Sequence, residues 1–185
     1  MRAYPSQLSY GPYGHLICTP ASCAVAVSFL VDGLADALSV SRVQDIMEGS
    51  HRLVAAQPVR RMMMLSELQE RIPDSVVAFI EIAGLTSAPK AEAEVEVDNL
   101  VLQPLSTLLQ YCHRTNSRRG AGPCALVVTL REHTTCYLLE GGRVFLFDPL
   151  PASLTDVTSL FVASMRDRPP VEYSGLLLYI KGPCS

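Results

Sequence analysis

The sequence predicts an α+β fold, with helices in the first part of the chain and an antiparallel sheet in the last. Two observations carry this expectation. The stretch "CTPASCAVAVSFLVDGLADAL", residues 18–38, reads as a helix whose residues from Cys23 to Val31 are apolar almost all round, as in a helix at the centre of a domain. From residue 124 onward, short apolar runs rich in β-branched and aromatic residues follow one another with turn residues between them. Helices followed by strands, rather than strands alternating with helices, is the α+β plan.

In chain order, Thr19 is placed to cap the first helix, and Pro20 suits its first helical position. Short helices are expected around 41–48, ended by Gly49, and around 64–71, ended before Pro73. "AEAEVEVD", residues 91–98, alternates strictly and reads as an edge strand, with Glu92, Glu94, Glu96 and Asp98 on one face. A helix is expected at 106–114. Strands follow at 124–130, 134–140, 143–149 and 172–180, with a helix at 153–165 before the last of them.

Length and composition bound the function. A chain of 185 residues suits a single domain, 1–185, with a substantial core. Its 49% hydrophobic and 18% charged residues are those of a globular protein. A net charge of −3 leaves no footprint for nucleic acid, the one basic cluster being Arg118 and Arg119. The start, "MRAYPSQLSYGPYG", has no signal-type apolar core, and the run from Leu16 to Val31 is short for a membrane span. A soluble cytoplasmic protein is therefore expected, with no membrane partner. The six cysteines (18, 23, 112, 124, 136, 184) show neither a disulfide framework nor zinc spacing. They are expected to be reduced, with no metal and no cofactor, and most of them buried and inert.

The chemistry gathers around "HTTCYLLEGGRVFLFDP", residues 133–149. With Gly141-Gly142 as a two-residue turn, Glu140 pairs with Arg143, Thr135 faces Asp148 and His133 faces Leu150. Opposed residues, and residues two apart, share a sheet face. His133 and Asp148 thus become diagonal neighbours, roughly 7–8 Å apart at the backbone and within side-chain reach. A carboxylate so placed accepts the imidazole N–H, fixes the tautomer and stabilises the charged ring. Alone, such a pair is more often a strand end and the start of an Asp-Pro turn.

The first helix changes that balance. A thiol becomes a nucleophile when a helix N-terminus and a nearby imidazolium stabilise its thiolate. Cys18 immediately precedes the Thr19-Pro20 helix start, where the macrodipole favours an anion. An early cysteine at a helix start, with His and Asp on adjacent late strands, resembles the order of papain-like cysteine proteases. Cys23 is the rival, because "SCAVAVSF" is superficially similar to the cysteine box of papain itself. Cys18 is preferred because papain-like families carry a small residue four positions after the nucleophile. Cys18 has Ser22 there, whereas Cys23 has the bulkier Val27.

Within that group the chain resembles the deubiquitinating branch. "SQLSYGPYGHLICTPASCAVAVSFL" is similar to the nucleophile region of the herpesvirus large-tegument ubiquitin-specific proteases, and "YLLEGGRVFLFDPLP" to their strand, turn and strand segment. The resemblance implies Cys18 as nucleophile, Asp148 as orienting carboxylate and Gln7 as the oxyanion-hole glutamine. It covers about fifty residues at the two ends, while 35–120 match no known pattern. The tegument family puts its histidine two residues after the aspartate, where this chain has Leu150. His133, opposite Leu150 in the expected register, would fill nearly the same space. That His-then-Asp order is shared by papain, Josephin and MINDY-type enzymes, and "LREHTTCYLLEGG" resembles the MINDY histidine strand.

The resemblance implies a papain-like domain whose central Cys-bearing helix packs on a C-terminal antiparallel sheet. It also implies a deubiquitinase cleaving after the C-terminal glycine of ubiquitin or a ubiquitin-like protein, in the virion tegument or host cytosol. On that reading the acidic face at 92–98 could meet the basic tail of ubiquitin, although solvated charges that protect a sheet edge are the commoner meaning of such a face. Three alternatives stay open: a papain-like protease or amidase on another substrate, a transferase or deamidase with the same triad, and a binding module with a decayed site.

Overall fold

A computed structural model describes residues 2–64, 67–68, 71, 78–86, 95–97, 100–104, 122–130, 133–150, 153–158 and 174–181. Two helices, α1 (Cys18–Ala37) and α2 (Val40–Ala55), follow a 3-10 helix at Gln7–Leu16. The strands are β1 (Arg2–Ala3), β2 (Ala78–Thr86), β3 (Val95–Val97), β4 (Leu100–Pro104), β5 (Cys124–Leu130), β6 (His133–Glu140), β7 (Arg143–Asp148), β8 (Ser153–Asp156) and β9 (Ser174–Lys181). They form one sheet in the order β1-β8-β7-β6-β5-β9-β2-β4-β3. The fold is mixed α+β, as the order of elements predicts.

The hairpin β6–β7 has the expected register: Glu140 pairs with Arg143, and Cys136 with Phe147. Gly141 and Gly142 sit at φ 57° and 78°, the left-handed pair that a type I′ turn demands and that only glycine adopts without strain. Strands β5, β6, β7 and β9 are mutually antiparallel where they pair. The sheet is nevertheless not purely C-terminal or antiparallel. β1 comes from the N-terminus, β2 to β4 come from the middle of the chain, and β2 runs parallel to β4.

α1 lies on the β5–β6–β7 part of the sheet. Ala21, Val25, Ala26 and Phe29 of the helix are fully buried, and Val127, Cys136, Leu138 and Phe147 meet them in the same core. Each large side chain so buried contributes roughly 1.5–3 kcal/mol relative to exposure, which outweighs the weak helix preference of valine and phenylalanine. By length and composition α1 is long and apolar enough to cross a membrane, but here it carries the core.

Several expectations need correction. Thr19 does not cap α1: the helix begins at Cys18, its cap residue Ile17 makes no side-chain capping bond, and the Thr19 hydroxyl turns to the sheet instead. Pro20 is therefore the third helical residue, still within the first turn, where its missing N–H costs nothing. α2 runs through Gly49 to Ala55, because Met47, Ser50 and Val54 on either side of the glycine are buried and packing outweighs a penalty of about 1 kcal/mol. Ser39 supplies its N-cap, accepting from the Arg42 N–H at 3.3 Å.

The helix expected at 153–165 opens instead as β8, hydrogen-bonded between β7 and β1. Leu154 is buried while Ser153 and Thr155 are half-buried, the alternation of a strand. Residue 158 is helical, and the rest of that segment lies outside the described residues. Of the expected helix at 64–71, residues 67 and 68 are helical, while the helix at 106–114 lies outside the described residues. The acidic strand is seen as β3 at the sheet's outer edge, with residues 92, 94 and 98 beyond what is described.

Candidate functional site

Three elements bring their ends together: the start of α1, the start of β6 and the end of β7. Cys18 is the first residue of α1 and 1% exposed. It sits where unsatisfied backbone N–H groups and the macrodipole favour an anion. His133 opens β6 and Asp148 closes β7. His133 Nε2 lies 2.9 Å from Asp148 Oδ1. The same Oδ1 accepts the Leu150 N–H at 2.9 Å, so the Asp-Pro turn orients the carboxylate. With Nε2 on Asp148, Nδ1 is the ring nitrogen left for the sulfur.

The electrostatics follow from these contacts. Burial pushes the Cys18 thiol up, but hydrogen bonds with His133, with the backbone and side chain of Thr134, and with Thr19 outweigh it, and the thiol is held below its ordinary value. His133 is raised to about 9, first by its bond to Asp148 and then by Cys18. Cys23 has the opposite fate. It is fully buried, and burial together with the nearby Cys18 charge pushes its thiol up to about 12. Cys136 is likewise pushed well above the ordinary range by burial. Of the two rival thiols, Cys18 is the one whose surroundings favour the thiolate, and those of Cys23 oppose it.

Gln7 opens the 3-10 helix and is 3% exposed. Its N–H donates to the Pro149 carbonyl at 3.1 Å, and the Ser6 hydroxyl donates to the Leu150 carbonyl. The segment that carries Gln7 is thereby latched to the turn that carries Asp148. Among the described residues the buried Gln7 Oε1 has no hydrogen-bond partner, an arrangement uncommon in a purely structural glutamine. Gly14 lies so close that a Cβ built on it would stand 2.1 Å from the Gln7 carbonyl oxygen.

The structure thus unites Cys18, His133 and Asp148, with Gln7 on a segment anchored to the same turn. Sequence reasoning missed Gly14 and Thr134. Ser22 was singled out only for its size, yet its hydroxyl donates to the Thr134 carbonyl at 3.1 Å. Cys18, Cys23, Cys124 and Cys136 form no disulfide among the described residues. Among the described residues no three His, Cys, Asp or Glu side chains are grouped as metal ligands.

A cysteine at an apolar helix start, with a hydrogen-bonded histidine and aspartate on neighbouring strands, is the arrangement that thiol-based acyl transfer requires. The sequence matches no protein-family model and no curated protein at a significant level. The fold, however, is similar to a solved one: the ubiquitin-specific protease encoded by a tegument protein of murine cytomegalovirus, determined in complex with a ubiquitin-based suicide substrate. The likeness covers 100% of this chain and 88% of that one, with a TM-score of 0.63 and 15% sequence identity. At that identity the likeness shows the fold.

Proposed function

We propose that residues 1–185 form a papain-like cysteine protease domain of the deubiquitinase type. It would cleave after the C-terminal glycine of ubiquitin or a ubiquitin-like protein, with Cys18, His133 and Asp148 as its triad. The observation that carries this reading is the 2.9 Å His133–Asp148 hydrogen bond beside a cysteine whose thiol is lowered at a helix start. The fold shared with a viral ubiquitin-specific protease supports the substrate class.

In this mechanism the Cys18 thiolate attacks the glycine carbonyl carbon, and the carbonyl electrons move onto oxygen. The Cys18 backbone N–H and the Gln7 side chain stabilise that oxyanion. The C–N bond then breaks as the His133 imidazolium gives its Nδ1 proton to the leaving amine, which leaves a thioester on Cys18. Neutral His133 next takes a proton from water, whose oxygen attacks the thioester. The tetrahedral adduct expels the Cys18 thiolate, the carboxylic acid product departs and gives its remaining proton to solvent, and the thiolate–imidazolium pair is restored. Asp148 orients the ring and stabilises its charge.

A ubiquitin probe with a C-terminal electrophile tests the reading. It should label the wild-type chain at Cys18, located by mass mapping, and leave Cys18→Ala unlabelled. Labelling at Cys23, or no labelling by a probe that reacts with a known deubiquitinase, would overturn it.

A further inference from the structure

The strand residue next to the candidate base holds the helix that carries the candidate nucleophile. Thr134 is fully buried although polar. Its Oγ1 lies 2.8 Å from Thr19 Oγ1 on α1 and 2.9 Å from Thr129 Oγ1 on β5. Its carbonyl accepts the Ser22 hydroxyl at 3.1 Å. Thr19 Oγ1 in turn lies 4.0 Å from Cys18 Sγ. Both halves of Thr134, side chain and backbone, are therefore bonded to the first five residues of α1, one residue along the strand from His133.

Counting protons shows what this chain can do. Three hydroxyls carry three protons, and two of these are used in the Thr129–Thr134 and Thr134–Thr19 links. If the bonds run from Thr129 through Thr134 to Thr19, the remaining proton faces the Cys18 sulfur, which the hydroxyl and backbone of Thr134 also reach. If they run the other way, Thr19 presents lone pairs to the sulfur and the spare proton lies at half-buried Thr129. The first direction serves a thiolate and the second a neutral thiol. Such a chain can follow the protonation state of the sulfur, and its links strengthen one another in a low-dielectric interior.

Resting on the catalytic reading of Cys18, we propose that Thr134 is a positioning residue for that cysteine: with Thr19 and Thr129 it forms a buried hydroxyl chain that presents a donor to the thiolate, and with Ser22 it fixes the helix start against His133. A purely structural hydroxyl cluster would brace the helix without changing the behaviour of the sulfur. This one does both, because its last oxygen borders the sulfur and its middle residue adjoins the histidine. Misplacement of reacting groups by about 1 Å can cost on the order of 100-fold in rate.

The test is alkylation of Cys18 by iodoacetamide as a function of pH, followed by mass on the Cys18 peptide of the full chain. Wild type should react well below the ordinary thiol range. Thr134→Val, which keeps the shape and removes the hydroxyl, should need a pH higher by roughly one unit, and Thr134→Ser should restore the profile. On a fluorogenic ubiquitin substrate, kcat of Thr134→Val should fall about 10-fold with KM nearly unchanged. If Thr134→Val fails to fold, Thr129→Val breaks the far end of the same chain and should shift the profile in the same direction by less. A profile unchanged from wild type in the folded variant, whatever its melting temperature, overturns the proposal. A wild type without reactivity below the ordinary thiol range overturns the catalytic reading as well, which separates the two failures.

Discussion

His133 Nε2 and Asp148 Oδ1 stand 2.9 Å apart, on adjacent strands joined by the Gly141-Gly142 turn. Residues 15 apart in sequence meet because the turn fixes the register and the pleat puts both side chains on one face. The pair is partly exposed, with side chains 32% and 25% accessible. A purely structural ion pair gains little in such a place, whereas a base that must meet substrate needs it.

Asp148→Asn keeps the shape and still accepts the Leu150 N–H, but it lets the imidazole take the wrong tautomer. Activity on a fluorogenic ubiquitin substrate should fall by about 10²- to 10⁴-fold without vanishing, while the melting temperature changes little. Full activity in this variant would remove Asp148 from the triad.

Cys18→Ala should abolish turnover and leave the fold intact. Cys23→Ala should keep most activity and cost about 1 kcal/mol of stability, because Cys23 is a core residue with its thiol pushed up to about 12. Paired activity and denaturation curves on the two variants distinguish nucleophile from filler.

The pH dependence follows from the charged pair. Activity should rise as pH climbs through the lowered Cys18 value and fall as pH passes about 9, where His133 gives up its proton. Stability carries the same sign on its alkaline side. The folded value of His133 lies above its ordinary 6.5, so its contribution is complete below 6.5 and lost as pH rises through about 9. The thiol does not titrate in a Cys18→Ala background, which isolates the histidine. There, with the Cys18 contribution gone and Asp148 left to raise the histidine, the melting-temperature advantage of the chain with Asp148 intact over the same chain carrying Asp148→Asn should shrink as pH rises above 6.5. A constant difference would contradict the assignment.

Local signals made the site legible. A Gly-Gly turn specified the register that joins His133 to Asp148, and an all-apolar run specified the helix that begins at Cys18. What stayed hidden depends on distant partners. Ser153–Asp156 has a pattern short enough to read either way, and β7 and β1 on its two sides make it a strand. Thr19 looked like a cap because its partner, Thr134, is 115 residues away. The same distance concealed the role of Thr134, since "HTT" carries no periodic signal.

Gln7 leads to a less usual expectation. Its buried Oε1 lacks a partner among the described residues, and removing an unsatisfied acceptor does not destabilise as removing a satisfied one does. On the proposed oxyanion role, in which the Nε2 amide donates, Gln7→Ala should lower kcat by roughly 10²-fold, the cost of losing one such donor. Stability should fall only by the packing of one buried side chain. Loss of stability in step with activity would mark the glutamine as structural.

Gly14 supplies the last prediction, because its effect must pass through Gln7. A methyl group at this position would lie 2.1 Å from the Gln7 carbonyl oxygen and 3.0 Å from the carbonyl carbon, both backbone atoms that cannot swing aside. Gly14→Ala must therefore move the segment that begins at Gln7. That segment is latched by the Gln7 N–H to Pro149 and by Ser6 to Leu150, so the strain falls on the glutamine and on the turn holding Asp148. Overpacking of this kind costs about 1–3 kcal/mol, and activity should fall at least as far as in Gln7→Ala. Combining Gly14→Ala with Gln7→Ala should lower activity little beyond Gly14→Ala alone, since the glycine change already displaces the glutamine. Independent, multiplying losses in the double variant would show that Gly14 acts elsewhere.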